Sequence, residues 1–376
     1  MEAFFYLTAL LCCYSYFLYP LILGRLPRRV PAAASGGEEL PVLTLIITVH
    51  NEAARIREKL NNSLEIDYPA DRLEIIVASD GSTDDTEGIV AEFADRGVRL
   101  VRADARKGKE YAQLCAIREA SGEIIVFSDV ATHIPADALH ILAGEFADPR
   151  IGGVSSEDRF ISQDGSVAGE GAYVRYEMWL RRLESERAGL VGLSGSFFAA
   201  RRAACADWDI ASPSDFNTAL NCARLGLVAV SSPRVVGVYS DIKDPQQEFA
   251  RKVRTVIRGM TALARHPEAL NPLRMGLFAF QVWSHKIMRW GVPWFLLLLL
   301  ALTLLLLDRG AVFQVALAVQ AVFYLLAVGG WASARLRASA IVRIVFFFVQ
   351  TNLALARAAI LFLSGRRMTT WNPTRR

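Results

Sequence analysis

The chain has 376 residues, of which 53% are hydrophobic and 21% charged, with a formal net charge of +4. That length holds one large domain or two ordinary ones, and the apolar content excludes a disordered chain. The small positive charge sits beside apolar segments at the two ends, which suits anionic lipid headgroups and argues against a nucleic-acid partner. Five cysteines (Cys12, Cys13, Cys115, Cys205 and Cys222) have neither metal nor redox spacing and read as reduced, small hydrophobes.

In chain order, residues 4–23 are apolar, uncharged and about long enough to span a bilayer. They lack a basic start and a small-residue cleavage site, so residues 1–24 are expected to be an anchor and not a cleaved signal. Arg25, Arg28 and Arg29 follow, so the positive-inside rule puts the amino terminus outside and what comes next in the cytoplasm. Residues 25–40 read as a flexible linker, rich in Ala, Ser and Gly.

Residues 41–270 read as one α/β domain. Buried strands are expected at 42–49, 73–78, 98–102 and 123–127, alternating with helices at 53–64, 86–95 and 107–119. This alternation predicts a mostly parallel, Rossmann-like, doubly wound sheet. No G-x-G-x-x-G follows the first strand, which argues against a dinucleotide and leaves a mononucleotide pocket open.

Three carboxylates close three of these strands: Glu52, Asp80 and Asp129. Any one of them is an ordinary turn residue, but three on the same sheet edge make a site. Open α/β sheets bind ligands at that edge. Carboxylates there accept from ribose hydroxyls or a base N–H and hold divalent cations through oxygen. Lys107 and Lys109 add the positive charge that a diphosphate needs; otherwise they are solvated loop residues.

The run TVHNE, SDGSTDDT, RKGKEYAQLCAI and IIVFSD, spread over about ninety residues, resembles the nucleotide-sugar-binding half of family 2 glycosyltransferases of GT-A fold. The resemblance implies a nucleotide-diphosphate sugar donor, usually UDP-linked. It also implies that Thr48, Glu52 and Asp80 hold the uridine and ribose. Asp129 matches the first aspartate of the family's DxD motif, so Mg²⁺ or Mn²⁺ is the implied cofactor. Here the motif reads Asp129-Val130-Ala131, and a methyl group cannot ligate a cation. Thr132 or His133 is left to help, although Mg²⁺ prefers oxygen.

Further on, VGLSGSFFAARR looks like the family's acceptor-side segment, where Gly192 and Gly195 would let a sugar approach the backbone. Asp215, in Ser214-Asp215-Phe216, matches the place of the family's catalytic base; read without the family, it is a helix N-cap. Arg251, Arg254 and Arg258 share a helical face by spacing and would clamp a diphosphate or a lipid-phosphate acceptor, or simply face the membrane. Processive synthases of the family carry Gln-x-x-Arg-Trp here; Gln247 is present without the Arg-Trp.

Residues 271–290 are expected as an interfacial helix, with Gln281, His285 and Arg289 on one face. Two transmembrane helices follow at 291–330. Residues 331–376 contain a last apolar segment flanked by arginines on both sides. The polar groups Arg343, Gln350, Arg357 and Ser364 recur every seven residues, so an interfacial or re-entrant helix is expected, with the carboxyl terminus cytoplasmic. The whole reads as an integral plasma-membrane enzyme. It would transfer a sugar, with inversion, to a lipid-linked or membrane-presented acceptor in surface polysaccharide or glycolipid synthesis. The rivals are a processive polysaccharide synthase and a non-catalytic scaffold with a degenerate sugar-nucleotide site.

Overall fold

The computed structural model describes residues 1–29, 39–161, 172–240 and 245–368. Most of the expected linker, and Arg375 and Arg376, lie outside them. The chain divides into two compact units. One, built on Leu26–Lys243 and Thr261–Ala279, contains the sheet. The other, of Met1–Arg25, Asp244–Met260 and Phe280–Arg367, is helical.

The sheet has seven strands: β1 Leu43–Val49, β2 Leu73–Ser79, β3 Val98–Arg102, β4 Ile124–Asp129, β5 Ile151–Ile161, β6 Phe197–Arg201 and β7 Val228–Ser240. Their order is β3-β2-β1-β4-β6-β5-β7. Six helices accompany them: α1 Ile56–Leu64, α2 Thr86–Ala91, α3 Lys109–Glu119, α4 Ala138–Glu145, α5 Ala172–Arg187 and α6 Ser214–Arg224. β1, LTLIITV, is buried along its whole length, as a central strand covered on both faces must be. It pairs in parallel with β2 and β4, with Thr48 level with both Ala78 and Asp129. Its end, and those of β2 and β4, therefore open on one sheet edge.

The expected four-strand parallel half is present, and the sheet as a whole is mostly parallel. β6 alone runs antiparallel, between β4 and β5. β5 to β7 were not expected as strands. β5 reads IGGVSSEDRFI, whose glycines and serines mask the apolar alternation that marks a strand. The reversed β6 matters for the site, because it brings the loop before it, Gly192 to Ser196, back to the edge where Asp129 ends β4.

The helical unit holds the amino-terminal helix, the start of α7 (Pro245–Arg265), α8 (Leu277–Leu305), α9 (Ala311–Ala332) and α10 (Ala340–Leu363). Four of these, Glu2–Arg25 and α8 to α10, are long and apolar enough to cross a membrane. One expected boundary differs here. No separate interfacial helix occupies 271–290: α8 runs unbroken from Leu277 into the apolar stretch, through a π-helical turn at Trp283–Ile287. Gln281, Ser284, His285 and Arg289 are buried, so their face turns into the unit. The last apolar segment likewise joins the bundle. Phe348, midway along α10, meets Tyr16 and Phe323 edge-on, with ring centroids 5.5 and 5.9 Å apart. It is a fourth helix of crossing length, in the segment expected as an interfacial or re-entrant helix.

Candidate active site

The edge shared by β1, β2 and β4 is built by short polar loops. After β1 the chain turns through His50-Asn51-Glu52, with Asn51 at φ +53°, a conformation Asn tolerates better than most residues. The Asn51 Oδ1 accepts from the Thr83 N–H at 2.8 Å, and the Glu52 N–H donates to the Thr86 Oγ1 at 2.8 Å. The two loops thus brace each other. Thr48 Oγ1 is buried without a hydrogen-bond partner among the described residues.

Glu52 is nearly buried and takes a two-pronged bond from Arg55, Nε at 2.9 Å and Nη2 at 2.6 Å to Oε2. Burial still pushes its carboxyl above the usual range, against the pull of Arg55. Asp80 is fully buried. Its carboxylate accepts from the backbone N–H groups of Lys107 and Gly108, both at 3.0 Å to Oδ1. Gly108 stands at φ +106°, open to glycine, and is the N-cap residue of α3. Asp80 therefore holds the turn that launches Lys109.

Lys109 reaches from the start of α3 across to β4. Its Nζ lies 2.5 Å from Asp129 Oδ1 and 2.8 Å from the carbonyl oxygen of Gly195. The Asp129 N–H donates to the Ser196 carbonyl at 2.9 Å. A Cβ placed on Gly195 would sit 3.8 Å from the Asp215 Cγ, so the loop backbone runs directly against that carboxylate. The Leu193 N–H donates to the Asp215 carbonyl. Lys109, Asp129, Gly195 and Asp215 thus form one continuous group.

Asp215 is half-buried in the first turn of α6, whose N-cap is Pro213 with no side-chain cap. Among the described residues no hydrogen bond or ion pair engages its carboxylate, so the N-cap reading does not hold. Three other acids of the sheet unit, Asp209, Asp158 and Glu157, are committed elsewhere. Burial pushes the Asp209 carboxyl up, but bonds from Arg265, Ser212, Ala211 and His266 outweigh it and hold the group well below the usual range. Asp158 is half-buried, desolvation raises its pKa, and it accepts from Ser194 Oγ at 2.7 Å. Glu157 pairs with Arg182 at 3.1 Å.

The donor set for a divalent cation is small. Asp129 keeps Oδ2 clear of Lys109, Ala131 offers a methyl group, and the His133 Nε2 lies 3.5 Å from the Asn62 amide. Among the described residues no three His, Cys, Asp or Glu side chains gather as a metal cluster. Mg²⁺ accepts one or two carboxylates when phosphates and water complete its shell. Asp129 is the carboxylate here that could hold such a cation.

One residue of this site was overlooked in the sequence. Lys59 of α1 is buried and donates to Ser128 Oγ at 2.8 Å and to the Thr132 carbonyl at 2.6 Å, on either side of Asp129. Burial lowers its pKa to about 7, partly offset by Asp129. The signal was present: Ile56, Lys59, Leu60 and Ser63 follow the spacing of a buried helix face, and a lysine there needs a partner. Of the remaining expected residues, Arg251, Arg254 and Arg258 belong to the helical unit.

Residues 44–208 match the family model described as Glycosyl transferase family 2. A probable glycosyltransferase, YdaM, of Bacillus subtilis is 33% identical over 141 residues, 36% of this chain and 34% of that protein. A poly-beta-1,6-N-acetyl-D-glucosamine synthase of Staphylococcus epidermidis is 26% identical over 189 residues, 48% of this chain and 45% of that protein. The chain thus spans less than half the length of either relative. Among solved structures, the mannosyltransferase PcManGT from Pyrobaculum calidifontis, in complex with GDP-Man and Mn²⁺, superposes with a TM-score of 0.75 at 25% identity, over 97% of this chain and 99% of that one.

Proposed function

We propose that this chain, whose sheet unit carries a family 2 glycosyltransferase domain of GT-A fold, moves a sugar from a nucleotide-diphosphate donor to an acceptor presented by the membrane. The observation that carries the reading is the join at Lys109. One ammonium ties Asp129, at the diphosphate end of the sheet edge, to the Gly195 carbonyl, whose loop lies against Asp215. Charge for a leaving group and a carboxylate with no bond of its own stand on either side of one loop.

In this reading the uridine and ribose lie over Thr48, Glu52 and the Asp80 turn, and the diphosphate meets Lys109 and Asp129. An acceptor hydroxyl approaches past Gly195, where no side chain blocks it. Asp215 takes the hydroxyl proton as the oxygen attacks the anomeric carbon. The bond from that carbon to the diphosphate oxygen breaks, and the nucleoside diphosphate leaves with the electron pair. Lys109 stabilises the charge that develops there. A single in-line displacement inverts the anomeric centre. Asp129 is the residue that would hold Mg²⁺ or Mn²⁺, which when bound supplies further charge to the diphosphate.

The arginines after the first helix favour a cytoplasmic catalytic domain in the plasma membrane. A lipid-linked acceptor, in surface polysaccharide or glycolipid synthesis, fits an enzyme whose chain also carries four candidate membrane helices. The test is a screen of UDP- and GDP-sugars against the full-length protein in lipid nanodiscs, with a membrane-lipid extract as acceptor. The expected result is nucleoside diphosphate release with one sugar appearing on a lipid-soluble product. A ladder of products would move the reading to a processive synthase. No nucleotide release from any donor would leave the non-catalytic scaffold.

A further inference from the structure

The helical unit contains a cluster of charge that the transfer chemistry does not use. Its part of α7 is amphipathic. Val253 and Ile257 are buried, and Arg251, Arg254 and Arg258 form a half-buried row, one turn apart. The helix packs on two of the candidate spans. Gly259 lies under Trp290 of α8, where a Cβ would come within 3.3 Å of the ring, and the Arg357 guanidinium of α10 lies 6.0 Å from the Phe249 ring centroid. The helix is thus held against two segments that could cross a membrane.

Arg251 and Arg254 have no counter-charge among the described residues. Among the described residues Arg251 and Arg254 make no hydrogen bond or ion pair, and the Arg251 Nε is shut off from solvent without an acceptor. In sequence the unit has four acidic residues, Glu2, Asp244, Glu248 and Asp308. Burial, then Arg258 and Arg251, lower the pKa of Arg254, which is how a cation behaves when held among its like. Grouping half-buried guanidinium groups costs stability unless an anion joins them. Planar forks one turn apart suit a group with several phosphate oxygens and more than one charge.

We propose that Arg251 and Arg254, flanked by Arg258, form a binding site for the terminal phosphate or pyrophosphate of a membrane lipid. The unit supplies the reason for a lipid source: the row lies on a helix packed against two that are long and apolar enough to cross a bilayer, while the sheet unit has a lysine of its own for phosphate in Lys109. This deepens the acceptor side of the function proposed above, and it rests on that reading only in calling the lipid an acceptor.

The test uses the full-length protein in phosphatidylcholine nanodiscs and measures binding of dihexanoyl phosphatidic acid, dihexanoyl phosphatidylcholine and inorganic phosphate. The phosphatidic acid should bind at least about tenfold more tightly than either control, and the Arg251→Gln, Arg254→Gln double variant should lose about that factor. UDP affinity, measured on the same samples, should stay near wild type and shows that the variant is folded. Should the variant not fold, the salt dependence of the wild type decides: phosphatidic acid binding should weaken from 0.05 to 0.5 M NaCl, by roughly the screening expected of exposed charge. Equal affinity for phosphatidic acid and phosphatidylcholine, an unchanged double variant, or no salt dependence would overturn the site. Inorganic phosphate binding as tightly as the lipid would overturn its assignment to a membrane ligand. Loss of sugar transfer with lipid binding intact would count against the transferase reading and leave this site standing.

Discussion

Lys109 Nζ stands 2.5 Å from Asp129 Oδ1, and the same ammonium holds the Gly195 carbonyl at 2.8 Å. The contact links α3, β4 and the loop before β6, three segments far apart in the chain. It fixes the position of the ammonium in the crevice, beside a carboxylate.

Lys109→Met should therefore weaken UDP binding, since a charge-assisted hydrogen bond is worth roughly 1.5–3 kcal/mol, about ten- to a hundred-fold in affinity. Isothermal calorimetry checks it. Unchanged affinity in a folded variant would take the diphosphate away from this residue.

Asp80→Ala should lower stability and UDP affinity together. The carboxylate accepts from Lys107 N–H and Gly108 N–H, so its loss leaves the start of α3 unbraced. Asp80→Asn, which keeps one acceptor oxygen, should fall between. Lost UDP binding at an unchanged melting temperature would instead make Asp80 a direct ligand contact.

Much of this was legible in the sequence. The strand ends at Glu52, Asp80 and Asp129 could be placed because β-branched runs and their turn residues are local signals. The Gly195 loop and Asp215 could be tied to them only by resemblance, since nothing local reveals that β6 runs backwards. Asp80 was expected to face a ligand, but spacing does not tell which way a strand-end carboxylate turns. Similarly, the buried polar face of α8 looks interfacial until its neighbours are known.

If a divalent cation is used, Asp129 is the carboxylate expected to hold it. A chelator should weaken UDP binding by the wild type and leave Asp129→Ala unaffected. If wild-type binding ignores the chelator, the charge on the diphosphate comes from Lys109 alone, consistent with the methyl group at Ala131.

Lys59 gives a stability signature. Its pKa is depressed to about 7 in the folded protein, from an ordinary value near 10.5. Between these values the unfolded chain binds more protons, so stability rises with pH across that window. The wild type should gain melting temperature relative to Lys59→Met as pH goes from about 7 to about 10. Parallel profiles for the two proteins would mean that Lys59 titrates normally and is not buried as described.

The central claim is that Asp215 takes the acceptor proton, and Asp215→Asn tests it most directly. The amide keeps the size of the side chain and removes its basicity. Transfer to the lipid acceptor, measured beside UDP affinity on the same preparation, should fall by about 10²–10⁴ with UDP affinity near wild type. Near-normal transfer by Asp215→Asn would contradict the account and remove Asp215 from the mechanism.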